Sequence, residues 1–247
     1  MQVVDYDSVD GGLLLSDGDE LTYCDLTAGR DLEYTLEDRH CAGTIHDESH
    51  IACEHPAAPY CGDHSHIWVC ARCTGTCLKD EMDCFDDHAI YLAAFAPDQF
   101  KVGVTKHWRL ETRLREQGAD RAAHIRTVDD GRIARELEAE IATEITDRVR
   151  VPTKLAGLGH SVDREAWQAL LAEFEPIETY AFDYGLGLET QPVAETMATG
   201  TVRGTKGRIL VLDRGGSTYA VDMRDLVGYE ISERRQSREL QSSLGSF

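Results

Sequence analysis

Seven of the eight cysteines lie between positions 41 and 84: Cys41, Cys53, Cys61, Cys70, Cys73, Cys77 and Cys84. Six of the ten histidines fall between 40 and 66. Few large apolar residues occur there beyond Ile45, Ile51, Ile67, Trp68, Val69 and Leu78. A stretch so poor in apolar side chains cannot fold on burial alone and needs a staple. Cys70-x2-Cys73 is a knuckle that lets two thiolates reach one tetrahedral ion, with Cys53-x7-Cys61 upstream and Cys77-x6-Cys84 downstream. In a reducing compartment this predicts structural Zn2+ rather than disulfides, and such an ion contributes roughly 10–16 kcal/mol of apparent binding energy. The first ligand set is Cys53, Cys61, Cys70 and Cys73. A second ion could take Cys77 and Cys84 with Cys41, or with a histidine such as His46, His55, His64 or His66. With one ion only, the remaining cysteines serve as small buried hydrophobes.

Charge comes next. The chain carries 45 Asp+Glu against 25 Lys+Arg, for a formal net charge of −20, and its five lysines are Lys79, Lys101, Lys106, Lys154 and Lys206. Acid-rich, lysine-poor composition combined with apolar periodicity predicts a globular protein adapted to concentrated salt, and excludes a disordered acidic chain. Positions 1–100 hold four basic and 21 acidic residues, whereas 101–135 hold nine basic and five acidic. That basic island contains Lys101, Lys106, Arg109, Arg113, Arg115, Arg121, Arg126, Arg132 and Arg135. Arginine offers a planar fork matched to phosphate oxygens, which points to nucleic acid as partner; the plainer alternative is a set of solvated arginines on helix faces. In molar salt, binding has to rest on short-range contacts rather than counterion release. The acidic start MQVVDYDSVDGG lacks the apolar core of a signal peptide, and no run is long enough to span a bilayer. The expectation is a soluble, cytoplasmic chain with no membrane partner.

Four regions follow from texture. Residues 1–40 read as a short β meander, too small to be stable alone. Residues 41–87 are the zinc-binding region, 88–175 an α/β core, and 176–247 a Gly-punctuated run of short strands predicting a small β-barrel and tail. In the core, Ala89 to Phe95 and Phe100 to Thr105 read as a hairpin across Ala96-Pro97-Asp98-Gln99. A helix begins near Trp108 and stops at Gly118, a third strand spans Ala122 to Val128, and a helix covers Ile133 to Ile145.

Residues 88–150 resemble the core of GIY-YIG nucleases. Ala89-Ile90-Tyr91 stands where GIY would be, Lys101-Val102-Gly103-x-Thr105 where YIG-x-T would be, and Glu138 on the later helix where a metal-binding glutamate would be. The whole chain resembles a conserved, uncharacterised family, of halophilic archaeal type, joining a zinc-ribbon-like region to such a core. The implied fold is α+β: a three-stranded antiparallel sheet flanked by helices, with an N-terminal zinc-ribbon-like region and a C-terminal small β-barrel. The implied activity is a metal-dependent phosphodiesterase acting on DNA or RNA. Tyr91 would position water, Lys101 and Arg113 would hold phosphate, and Glu138 would bind Mg2+ or Mn2+. Arg109, Lys106, Gly103 and Arg121 would contact the nucleic acid. Two departures, Lys101 in place of a second tyrosine and Gln117 in place of a histidine, favour the alternative of a catalytically weakened, zinc-stabilised nucleic-acid-binding protein, RNA- or translation-associated. A protein-interaction or structural role is the third possibility.

Overall fold

The computed structural model describes residues 1–65 and 84–233. Four strands open the chain, β1 (Gln2–Asp7), β2 (Gly12–Asp17), β3 (Glu20–Asp25) and β4 (Asp31–Arg39), followed by a small hairpin of β5 (Thr44–His46) and β6 (Ser49–Ile51). The hairpin expected from the apolar run forms β7 (His88–Phe95) and β8 (Gln99–Lys106). A 3-10 turn then leads into α1 (Leu110–Gln117), β9 (Arg121–Val128), α2 (Gly131–Ile141), α3 (Val151–Ala156) and α4 (Arg164–Leu171). The remainder is β10 (Glu178–Ala181), β11 (Val193–Ala194), β12 (Ala198–Lys206), β13 (Ile209–Arg214), β14 (Ser217–Asp222), α5 (Met223–Leu226) and β15 (Tyr229–Glu233).

This overturns the expected α+β architecture of a three-stranded sheet flanked by helices with a separate small barrel. The protein is mostly β. Its main body is a nine-stranded mixed sheet in the order β11-β14-β13-β12-β4-β15-β1-β2-β3, and no closed barrel occurs among the described residues. The reason is edge satisfaction: neither the N-terminal meander nor the C-terminal strands can leave a row of backbone groups open. They pair with each other instead. β4 lies between β12, with Ala198 opposite Tyr34, and β15, with Ile231 opposite Leu36. One core therefore spans both chain ends, from Val3, Leu13 and Leu32 to Leu210, Leu212 and Ile231.

The smaller sheet has four strands, in the order β10-β9-β7-β8, rather than three. Its extra member, β10, pairs Glu178 with His124 of β9. Central β7 is buried on both faces, which explains why Ala89 to Phe95 reads as an unbroken apolar run. Ala89, Tyr91, Ala93 and Phe95 pack with Leu110 and Leu114 of α1. Ile90, Leu92 and Ala94 pack on the other side with Ala134, Trp167 and Leu171. Gly118, the expected stop, terminates α1 with φ +67°, and at the start of α4 the Asp163 carboxylate accepts from the Glu165 and Ala166 amides.

The two sheets meet where α1 ends. The β12–β13 hairpin turns through Gly207 and Arg208, with Lys206 opposite Ile209. Gly207 abuts the backbone of Gln117 and Gly118 so closely that a side chain at Gly207 would collide with it. That contact sets Lys206 and Arg208, from the large sheet, beside Arg113 and Gln117, from α1.

Candidate functional site

The first site is a candidate metal centre. Ligand atoms of Cys41, Cys53, Cys61 and His64 all lie within 4.8 Å of one another. His64 Nδ1 sits 3.4 Å from Cys41 Sγ and 3.3 Å from Cys61 Sγ. The Cys61 and Gly43 amides donate to Cys41 Sγ, at 3.2 and 3.4 Å. Three thiolates and one imidazole make a donor set suited to tetrahedral Zn2+, whose Zn–S bonds near 2.3 Å imply sulfur–sulfur edges of about 3.8 Å. Four protein ligands would fill that geometry, which is consistent with a structural ion. The segment is joined to the large sheet beside the cluster, where the Gln2 side-chain amide donates to Cys41 O and His40 N–H donates to Gly228 O.

Only part of the expected ligand set is in this cluster. Cys53 and Cys61 are present, while Cys41 and His64, assigned above to a possible second ion, complete it. Cys70, Cys73 and Cys77 lie outside the described residues. Cys84 is elsewhere, its carbonyl accepting from the Gly131 amide at the start of α2. His50 has a different task, bridging Ser16 Oγ at 2.7 Å and Ala42 O at 2.8 Å.

The second site is a cleft of about 360 Å³ between the two sheets. Lys101 of β8 and Arg113 of α1 reach it from the small sheet, and Lys206 and Arg208 from the β12–β13 turn. Arg148, Arg150 and Lys154 come from α3 and the segment before it. Seven cations thus line one cleft of a chain whose formal charge is −20. Two carboxylates share the wall. Glu116 is held by Arg109 at 2.7 Å and Arg113 at 2.9 Å, and Asp147 lies 3.7 Å from Arg148. Arg208 pairs with Asp222 at 2.6 Å through one terminal nitrogen, and its Nε is buried without a partner among the described residues.

Burial acts on the amines. Lys154 Nζ donates to Gln117 O at 2.7 Å and lies 4.2 Å from the centre of the Phe95 ring. Desolvation, reinforced by Lys101, Arg208, Arg113 and Lys206, pulls its pKa down to about 7. Lys101 falls to about 8, chiefly through desolvation; Glu138 opposes the shift and Arg113 adds to it. Lys206 is neutralised by Asp120 at 2.6 Å and lies over the Tyr184 ring.

The four residues assigned above to catalysis share one neighbourhood. Arg113 and Glu138 both act on the protonation of Tyr91 and of Lys101. Tyr91, however, is 1% exposed and does not line the cleft; Gln117 Nε2 donates to its hydroxyl at 2.6 Å, and burial pushes its phenol pKa up. Glu138 also stands behind the cleft wall, paired with Arg135 at 2.6 Å. The bare Cα of Gly103 is covered by the Tyr91 ring, 2.5 Å from where a Cβ would sit, so that glycine makes room for the tyrosine rather than for a ligand. Lys106 is paired with Asp86, and Arg121 begins β9 opposite Ala94 and Ala181.

Sequence reading missed Arg148, Arg150, Lys154, Lys206 and Arg208. No local signal points to them: Lys101, Lys154 and Lys206 are far apart in the chain and meet only in the fold.

Fold and sites together define a β-rich protein with a Cys3His candidate metal centre and a cation-lined cleft between two sheets. The chain belongs to the family described as "Protein of unknown function (DUF2797)", whose model matches residues 29–231. That span contains all four candidate ligands and every cation of the cleft. No curated protein and no solved structure matches the chain.

Proposed function

We propose that this chain is a zinc-stabilised nucleic-acid-binding protein whose cleft holds the phosphodiester backbone. One observation carries the reading: seven basic side chains converge on a cleft in a strongly acidic protein, and the carboxylates paired with them, Glu116, Asp147, Asp120 and Asp222, reach only Arg113, Arg148, Lys206 and Arg208 of the seven among the described residues. Lys101, Arg150 and Lys154 are left to an anion from outside, and phosphate oxygens match arginine forks. The same reading takes the charge of −20 as adaptation to concentrated salt. Long-range attraction is then screened, and a walled cleft of short contacts is the remaining way to bind phosphate. The metal centre holds the N-terminal segment on the sheet and has no part in chemistry.

Metal-dependent cleavage is the second reading, favoured by the nearness of Arg113 and Glu138 to both Tyr91 and Lys101. It requires Gln117 and Arg135 to release Tyr91 and Glu138 so that water and Mg2+ or Mn2+ can reach them. The binding reading needs no such rearrangement and is therefore preferred.

The test is fluorescence anisotropy with short labelled RNA and DNA strands in molar KCl, alongside gel analysis for cleavage with Mg2+ and Mn2+. Binding by the wild type that weakens in Arg150→Ala and Arg208→Ala supports the proposal. Absence of binding to both RNA and DNA overturns it. Cleavage lost in both Tyr91→Phe and Glu138→Ala replaces it with the second reading.

A further inference from the structure

The described lysines divide into two kinds. Lys106 is paired with Asp86 and Lys206 with Asp120. Lys101 and Lys154 both line the cleft, and among the described residues neither forms an ion pair with a carboxylate. Lys154 is the more confined, set between the Gln117 carbonyl and the Phe95 ring and facing four like charges, Lys101, Arg113, Lys206 and Arg208. A lysine whose task is to attract phosphate gains nothing from losing its proton. One kept partly neutral beside other cations and an apolar floor has the setting of an amine nucleophile.

We propose that Lys154 condenses with the aldehyde of a base-less deoxyribose in a DNA strand, holding that strand as an imine; this rests on the reading of the cleft as a phosphodiester site. Such a sugar carries phosphate on both sides, which Arg113, Arg150 and Arg208 are placed to receive. With the phosphates held, the aldehyde carbon enters the space in front of Lys154 Nζ. The amine nitrogen attacks it, a C–N bond forms and the C–O bond breaks. The oxygen leaves as water with the amine's two protons, and nothing is oxidised or reduced. Depression of the Lys154 pKa to about 7 leaves a substantial neutral fraction at neutral pH, which the step requires. Phosphoryl transfer is less well served, because the two carboxylates on the wall lie beside arginines.

The test uses the full chain, loaded with zinc, and a labelled DNA oligonucleotide containing one base-less site. Sodium cyanoborohydride serves to reduce any imine to a stable amine. Anisotropy with the intact oligonucleotide runs in parallel, and glycolaldehyde phosphate provides a small phosphorylated aldehyde. The expected result is a single covalent adduct that peptide mass mapping places on Lys154. It disappears in Lys154→Arg, which keeps the cation, with a thermal melt confirming the fold. An adduct that maps to another amine or survives Lys154→Arg overturns the proposal. So does absence of any adduct while the intact strand binds, in which case the phosphodiester reading stands alone. If neither strand binds, that reading fails as well; an adduct on Lys154 from glycolaldehyde phosphate would then leave only amine chemistry on a small molecule.

Discussion

Gly118 and Gly207 meet with no side chain between them: a Cβ on Gly207 would lie 2.6 Å from the Gly118 amide nitrogen. One glycine ends α1 and the other turns the β12–β13 hairpin, so two backbones touch beside the cleft-lining residues Gln117, Lys206 and Arg208. Both have positive φ, +67° and +55°, where L side chains are strained.

Gly207→Ala is therefore expected to destabilise the fold by about 1–3 kcal/mol and to weaken anion binding by shifting Lys206 and Arg208. Gly215→Ala is the control: its φ is +58°, but nothing lies within 4 Å of its Cβ position. Urea unfolding of the two variants separates backbone strain from the lost contact. Equal costs would show that the glycine pair is unimportant.

Zinc content should fall when the centre loses a ligand. Cys61→Ser and His64→Ala are each expected to lower zinc per chain in elemental analysis and to reduce stability. A site saturated a thousandfold above its Kd adds about 4 kcal/mol to the folded state, and chelation removes it. Unchanged zinc content in both variants would place the metal elsewhere.

Anion binding should weaken as pH rises. Lys154 and Lys101 lose their protons near pH 7 and 8 in the free protein, so affinity is greatest below about 7 and declines through 8. Stability runs the other way. The unfolded amines keep their protons up to 10.5, so between about 7 and 10.5 the unfolded chain binds more protons and the fold gains stability with pH. Each amine contributes at most about 1.4 kcal/mol per pH unit. Anisotropy and denaturant titrations across this window check both signs.

Tyr91→Phe is expected to cost about 1 kcal/mol, through the lost Gln117 hydrogen bond, and to leave nucleic-acid binding intact. Gly103→Ala is expected to cost more, about 1–3 kcal/mol, because its Cβ would strike the Tyr91 ring. Equilibrium unfolding and anisotropy measure both. A large loss of binding in Tyr91→Phe would mean that the tyrosine reaches the ligand after all.

Local pattern was enough to find the hairpin of β7 and β8, the stop at Gly118 and the metal-ligand spacing of the segment after position 40. These depend on neighbouring residues: alternation, a residue able to adopt positive φ, thiols at short spacing. Sheet architecture was not legible, because an open edge on β4 says that a partner is needed without saying which. Cys41 and His64 were candidates, yet their place beside Cys53 and Cys61 depends on how the segment folds back on the large sheet.

By itself, the sequence determined an acidic chain with apolar periodicity, a thiol-rich segment with the spacing of metal ligands, and a buried strand with an arginine-bearing helix behind it. Only the tertiary structure decided that Lys101, Lys154 and Lys206 share one cleft while Tyr91 is shut away from it. The physical reason is range: capping, turns and strand alternation act over a few residues. Electrostatic convergence acts through space, between side chains that folding brings together.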